Sequence, residues 1–131
     1  MEDLVRQTIF DQVEFFILDC NSPDHEAEVI NKYTHHDNIS YLRLEEDPGL
    51  FAGWNVSVKN TTSDLLTNWN VDDRKSPWSL EVMRDYLSLN SDIDLVYGNT
   101  VVSQKSNEEW ANLESRDLYI CNETDAWQDL L

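Results

Sequence analysis

Two adjacent carboxylates, Asp72 and Asp73, follow the apolar run LLTNW in the stretch LLTNWNVDDRKSPW, with the amide of Asn70 two residues before Asp72. Oxygen donors at this spacing suit a hard divalent cation, and an ion held by one or two carboxylates keeps positions open for substrate phosphates. Acids before a helix also favour its N-terminal dipole, and for an isolated pair that explanation would prevail. The balance shifts because a second acidic turn, DCNSPD with Asp19 and Asp24, closes an earlier apolar run at a matching place. Each of these acids has an ordinary explanation too, since Asp24 opens a helix and Asp19 ends a strand. Trp54 and Trp69 have the faces to stack on a base or sugar, although aromatics at such spacing usually fill a core. His35 and His36 lie next to no nucleophile and suit a helix C-terminus. Cys20 and Cys121 show no metal-binding spacing and read as reduced, structural thiols.

The elements that must position these groups follow from periodicity. VEFFIL, residues 13–18, is the short continuous apolar run of a strand buried on both faces. Ser22 and Pro23 then predict a helix start, with a helix over about residues 23–34 that turns Ala27, Val29, Ile30 and Tyr33 inward. ISYLRL, residues 39–44, alternates as a second, less buried strand and is broken by EDPG. Leu50, Phe51, Trp54 and Val58 fall at helical spacing and predict a helix over about residues 50–60. LLTNW, residues 65–69, reads as a third strand. Ser76 and Pro77 repeat the cap-and-proline device for a helix to about Leu89 with Leu80, Met83, Tyr86 and Leu87 facing the core. DLVYGNTVVS, residues 94–103, reads as a fourth strand, and the segment from Asn107 to Leu131 as a weakly specified loop and short helix. Strands alternating with helices predict an α/β domain with a mostly parallel sheet flanked by helices, in which ligands bind beyond the carboxyl ends of the strands. Both acidic turns fall at such ends.

Composition narrows the partners. The 131 residues suffice for a single domain, and 26 acids against 9 basic side chains give a net charge of −17, a field that repels nucleic acid. No run approaches a membrane span and the N-terminus lacks a signal-peptide core, so a cytoplasmic protein is expected. Neither G-x-G-x-x-G nor a Walker loop occurs.

Three passages together resemble family 2 glycosyltransferases. QTIFDQVEFFILDCNSPD is similar to the family's QT…(F/Y)E(I/V)IVVDDGSTD, EDPGLFAGWNVSVKNTTSDLLTNWNVDD to its ENxGxxxARNxGLxxAxGEYIxFLDADD, and SPWSLEVMRDYL to the helix that follows. The likeness runs over about residues 4–103 in order and spacing. It implies a GT-A fold that binds a nucleotide-sugar and Mn²⁺ or Mg²⁺. The turn holding Asp19, Cys20, Asn21, Ser22 and Asp24 would bind the nucleoside, with Cys20 standing where the family has its base-contacting acid. Asp72 matches the last acid of the D-x-D motif, the metal ligand, and Asn70 replaces the first. Trp54 stands in place of an arginine. Family members begin with a strand resembling VSVIIPTYN and supply a catalytic base well beyond the D-x-D. This chain starts after the former and stops about sixty residues past Asp72, as a nucleotide-binding portion trimmed at both ends would. Glu108, Glu109 and Asp117 are the later acids, and none is assigned as the base. The implied reaction is metal-dependent transfer of a sugar from a nucleoside-diphosphate sugar, UDP-sugar being expected, to a carbohydrate or other hydroxyl acceptor with inversion. The alternative is a catalytically inactive nucleotide-binding or interaction domain derived from such an enzyme. Loss of the first central strand would leave unpaired sheet edges through which the chain self-associates.

Overall fold

The computed structural model describes residues 1–98, 100–101, 103, 108 and 118–119, and the chain divides into two compact units, Met1–Glu81 and Val82–Leu131. In the first unit β1 (Phe15–Asp19) and β2 (Ile39–Arg43) pair in parallel, with Phe15 opposite Ile39 and Asp19 opposite Arg43. A parallel pair needs a crossover, and residues 20–38 supply it around the short helix α2 (Glu26–Ile30). Register is set at the strand entries, where the Asn38 side chain donates to the carbonyls of Phe10 at 2.7 Å and Val13 at 3.0 Å. The Phe15 N–H donates to the Asn38 carbonyl at 2.8 Å, and beyond the far end of the pair the Leu44 N–H donates to the Asp19 carbonyl at 2.8 Å. The first unit thus holds a parallel pair of strands with helices, in keeping with the expected α/β class.

The core of this unit gathers Ile9, Phe15, Ile39 and Leu80, with Leu4, Val5, Val13, Ile17, Tyr33 and Trp69 packed against it. It closes because the N-terminal residues, including α1 (Glu2–Val5), dock on the start of α4 (Ser79–Leu89). Gln7 is the buried polar group at that joint. Its amide nitrogen donates to the carbonyls of Asp3 at 3.2 Å and Ser76 at 2.9 Å, and its oxygen accepts the Leu80 N–H at 3.4 Å. Burial of an amide is tolerated when it is satisfied in this way. Thr8 adds two bonds, its N–H to the Pro77 carbonyl and its hydroxyl to Glu81, each at 2.7 Å.

Helix α3 (Leu50–Lys59) lies on β1 through Gly53, where an added Cβ would stand 3.2 Å from Cys20 Sγ and 3.5 Å from Leu18. The glycine is needed for that approach. Leu50, Phe51, Trp54 and Val58, whose spacing predicts the helix, therefore face solvent while the bare backbone of Gly53 faces the strand. No described helix is long and apolar enough to cross a membrane.

Other expectations are corrected. LLTNW forms no strand: Leu65 and Leu66 are 47% and 55% exposed and only Trp69 reaches the core. An apolar run becomes a strand only when its backbone finds a ladder, and among the described residues β1 pairs with β2 alone. Helix α2 is shorter than predicted: it begins at Glu26 with His25 in the cap position and no side-chain cap, while Ser22 belongs to the preceding turn, where its N–H is held by Asp19 and Asn21 takes φ 63°. Val29 and Tyr86 are exposed rather than inward. In the second unit the expected strand at 94–103 shrinks to β3 (Thr100–Val101), antiparallel to β4 (Leu118–Tyr119). Gly98 there stands against Met83, where a Cβ would meet its Cε at 3.3 Å. Asn99 and Val102 of that prediction, and most of the loop and short helix expected over 107–131, Cys121 included, lie outside the described residues.

Replacing Gly53 with Leu should separate α3 from β1. We expect a loss of about 1–3 kcal/mol in urea unfolding, and an unchanged midpoint would remove Gly53 from that contact.

Candidate functional site

The carboxyl end of β1 is built around Asp19, whose side chain is 2% exposed. Parallel register sets Arg43 directly across from it. Arg43 Nη1 donates to Asp19 Oδ2 at 2.6 Å, the Tyr41 hydroxyl donates to the same oxygen at 2.8 Å, and the Ser22 N–H donates to Oδ1 at 2.7 Å. Arg43 Nη2 reaches on to Asn21 Oδ1 at 3.1 Å and the Ser22 carbonyl at 2.9 Å. One guanidinium thereby ties strand end and turn together, and Asn21 accepts the left-handed conformation that the turn requires. Burial, the largest influence on Asp19, pushes its carboxyl upward. The Ser22 N–H, the Tyr41 hydroxyl and the Arg43 charge outweigh it, so the carboxyl titrates below the usual 3.8. Burial and the bond to Asp19 push the Tyr41 phenol up.

Cys20 lies between this turn and Gly53 of α3. Burial first, then the charges of Asp47 and Asp19, push its thiol up, which suits a neutral, inert side chain and not a nucleophile. Asp47 Oδ1 accepts the Gly49 N–H at 2.8 Å and so shapes the entry to α3. Asp24 is exposed, as is Trp54, which meets Phe51 edge to face with ring centroids 5.7 Å apart.

A second turn spans residues 69–75. The Trp69 indole N–H donates to the Asp73 carbonyl at 3.0 Å, Asn70 Nδ2 donates to Asp73 Oδ2 at 3.1 Å, and the Asp73 N–H returns to the Asn70 carbonyl at 3.2 Å. Arg74 anchors the turn through a two-pronged pair with Asp3, both bonds at 2.6 Å. That pairing, the largest influence on Asp3, holds its carboxyl below the ordinary range against the upward push of burial. Lys75 Nζ sits 5.5 Å above the Trp69 ring. Asp72 and Val71 are left exposed.

The structure thus joins Asp19, Asn21 and Ser22 in one cluster with Cys20 alongside, joins Asn70 to Asp73 instead of Asp72, and leaves Asp24 and Trp54 outside both clusters. Among the described residues no three His, Cys, Asp or Glu side chains converge as a metal cage. Tyr41 and Arg43 are the site residues that sequence reasoning missed. Their signal is the alternation of Ile39, Tyr41 and Arg43, which in parallel register comes opposite Phe15, Ile17 and Asp19. Of the later acids, Glu108 accepts from the Ser103 hydroxyl at 2.6 Å, while Glu109 and Asp117 lie outside the described residues.

A family model described as glycosyl transferase family 2 matches residues 1–129. No curated protein and no solved structure matches the chain.

The Asp19 cluster carries a pH signature. A depressed carboxyl stabilises the fold above its unfolded pKa, and that contribution is lost as pH falls through the folded value. Arg43→Met should therefore lower the urea midpoint clearly at pH 7 and progressively less at an acid pH below the folded value of Asp19, because protonation removes the charge that Arg43 pairs with. A deficit that is the same at both pH values would show that Arg43 acts by packing alone.

Proposed function

This chain belongs to glycosyl transferase family 2, and from that premise we propose that it binds the nucleoside-diphosphate sugar, a UDP-sugar, in metal-dependent transfer to an acceptor hydroxyl with inversion. The observation that carries the reading is the family match over residues 1–129. It is supported by the position of two ordered polar turns in one unit, one at the carboxyl end of a parallel strand, where α/β folds bind ligands.

In this reading Cys20, Asn21, Ser22 and Asp24 face the nucleoside. Asp19 acts through them, because its carboxylate already receives three donors and holds the turn in shape. Trp54 offers an exposed indole face for stacking on the donor. The residues at 70–72 fit a hard cation: the Asp72 carboxylate is exposed, and the Asn70 amide, its nitrogen engaged by Asp73, keeps its oxygen as a ligand. Mg²⁺ or Mn²⁺ bound there supplies positive charge that stabilises the leaving diphosphate. The acceptor oxygen attacks the anomeric carbon from the face opposite the diphosphate, the bond to the diphosphate breaks, and a carboxylate base takes the hydroxyl proton. No residue of this chain is given the part of that base.

A second reading is a nucleotide-binding domain without catalysis. It is favoured by the exchange of acids for Cys20 and Asn70, which weakens the charge for both nucleoside and ion. Turnover of a UDP-sugar by the purified chain, abolished in Asp72→Ala, would overturn that second reading.

Calorimetry tests the first. UDP should bind with Mn²⁺ or Mg²⁺ and bind poorly without it. Asp72→Ala should lose this dependence, and Asn70→Asp should bind the ion more tightly because it adds a charge beside the first. Equal metal-dependent affinity in the wild type and Asp72→Ala would remove Asp72 from the site.

A further inference from the structure

Among the described residues, the basic side chains are accounted for with one exception. Arg6, Arg43, Arg74 and Arg84 each pair with a carboxylate, and Lys32 and Lys59 stand in solvent. Lys75 is half-buried and makes no ion pair or hydrogen bond with a described residue. Withdrawing an ammonium from water is unfavourable unless something returns the lost interaction. The Trp69 ring beneath it at 5.5 Å returns part. The nearest acid in sequence, Asp73, is turned toward Asn70, with Oδ2 accepting from its amide at 3.1 Å. Among the described residues of so acidic a chain, a half-buried cation without an ion pair is a specific arrangement. Burial pushes the ammonium below the ordinary lysine range, and the field of Asp73 works against that shift.

We propose that Lys75 is a binding residue for the diphosphate of the donor, held by Trp69 at the base of the turn that presents Asp72. The proposal rests on the reading of the chain as a nucleotide-sugar binder and adds the residue that meets the leaving group. Its logic is one of charge. Asp72 contributes to diphosphate binding only through an ion, and Asn70 in place of an acid leaves that ion fewer anionic ligands. A lysine three residues on, seated over the Trp69 ring and without an ion pair to a described residue, contacts the phosphate oxygens directly as a point charge. The turn thus offers the diphosphate two sources of positive charge, one an ion and one built into the chain.

The test is calorimetry on the full chain with Mg²⁺ and three probes: UDP, uridine and inorganic pyrophosphate. Lys75→Met keeps an unbranched stem over Trp69 and removes the charge. It should weaken UDP and pyrophosphate by about tenfold or more, leave uridine unchanged, and leave the melting temperature close to that of the wild type. Lys75→Arg should restore binding, and Lys75→Gln repeats the charge loss should the Met variant fold poorly. Equal UDP affinity in the wild type and both neutral variants would overturn the proposal and leave Lys75 as a packing cation, with the nucleotide reading intact. Pyrophosphate bound through Lys75 without any tighter binding of UDP would keep the anion site and overturn the nucleotide reading. A wild type that binds neither UDP nor pyrophosphate would overturn both.

Discussion

The arrangement at the end of β1 depends on one buried charge. A carboxylate at 2% exposure is tolerable only if donors replace its lost water, and Asp19 finds three, from Ser22, Tyr41 and Arg43. Each donor fixes something different. Ser22 closes the turn that leaves β1. Tyr41 and Arg43 bring β2 into register, since a slip of one residue would turn both side chains to the opposite face. Removal of one partner leaves a charge that the others must hold in a dry setting, so the cluster acts as a unit.

The same reasoning applies to residues 69–81, which no strand organises. There the chain relies on polar bridges to its own N-terminus: Asp3 to Arg74, Gln7 to Ser76 and Leu80, and Thr8 to Pro77 and Glu81. Loss of the Gln7 side chain would take the acceptor from the buried Leu80 N–H and a donor from the Asp3 and Ser76 carbonyls, and a buried group left unpaired costs about 1–3 kcal/mol. A buried amide with three bonds therefore substitutes for the sheet hydrogen bonds that LLTNW lacks. The turn at Asp72 is held by these bridges and by its own bonds among Trp69, Asn70 and Asp73.

These facts also explain what was legible in the sequence. β1, β2 and α3 were readable because a short apolar run, an alternation and a 3.6-residue spacing each answer to local burial. The family could be read from the joined motifs, and with it the α/β character of the sheet. LLTNW could not be read correctly from composition, because strand formation there turns on a backbone partner that no feature of those five residues encodes. The exposed faces of α3 escaped for a related reason: the side that packs is marked by Gly53, a residue without a side chain to register in any hydrophobic pattern. Asp19 and Asp72 look alike in sequence, each an acid after an apolar run, yet Asp19 is enclosed by Tyr41 and Arg43 from a distant strand while Asp72 is exposed.

That contrast bears on how a ligand would be recognised. A side chain already satisfied by strong partners must lose them before it can turn to a ligand, whereas an exposed or unsatisfied group loses little. Asp19, Arg43, Asp3 and Arg74 are of the first kind: their bonds of 2.6 to 2.8 Å are charge-assisted and mutually enforcing. Asp72, Lys75 and Trp54 are of the second. In the proposed donor site these add to the nucleoside turn three groups of different chemistry, an anion that needs a cation, a cation that needs an anion, and an aromatic face. The buried pairs keep the turns in the positions from which those groups act. Substitutions that change the ligand would be concentrated among these unsatisfied groups, and substitutions that change stability among the buried pairs, because the first are free to meet a ligand and the second are already committed to the fold.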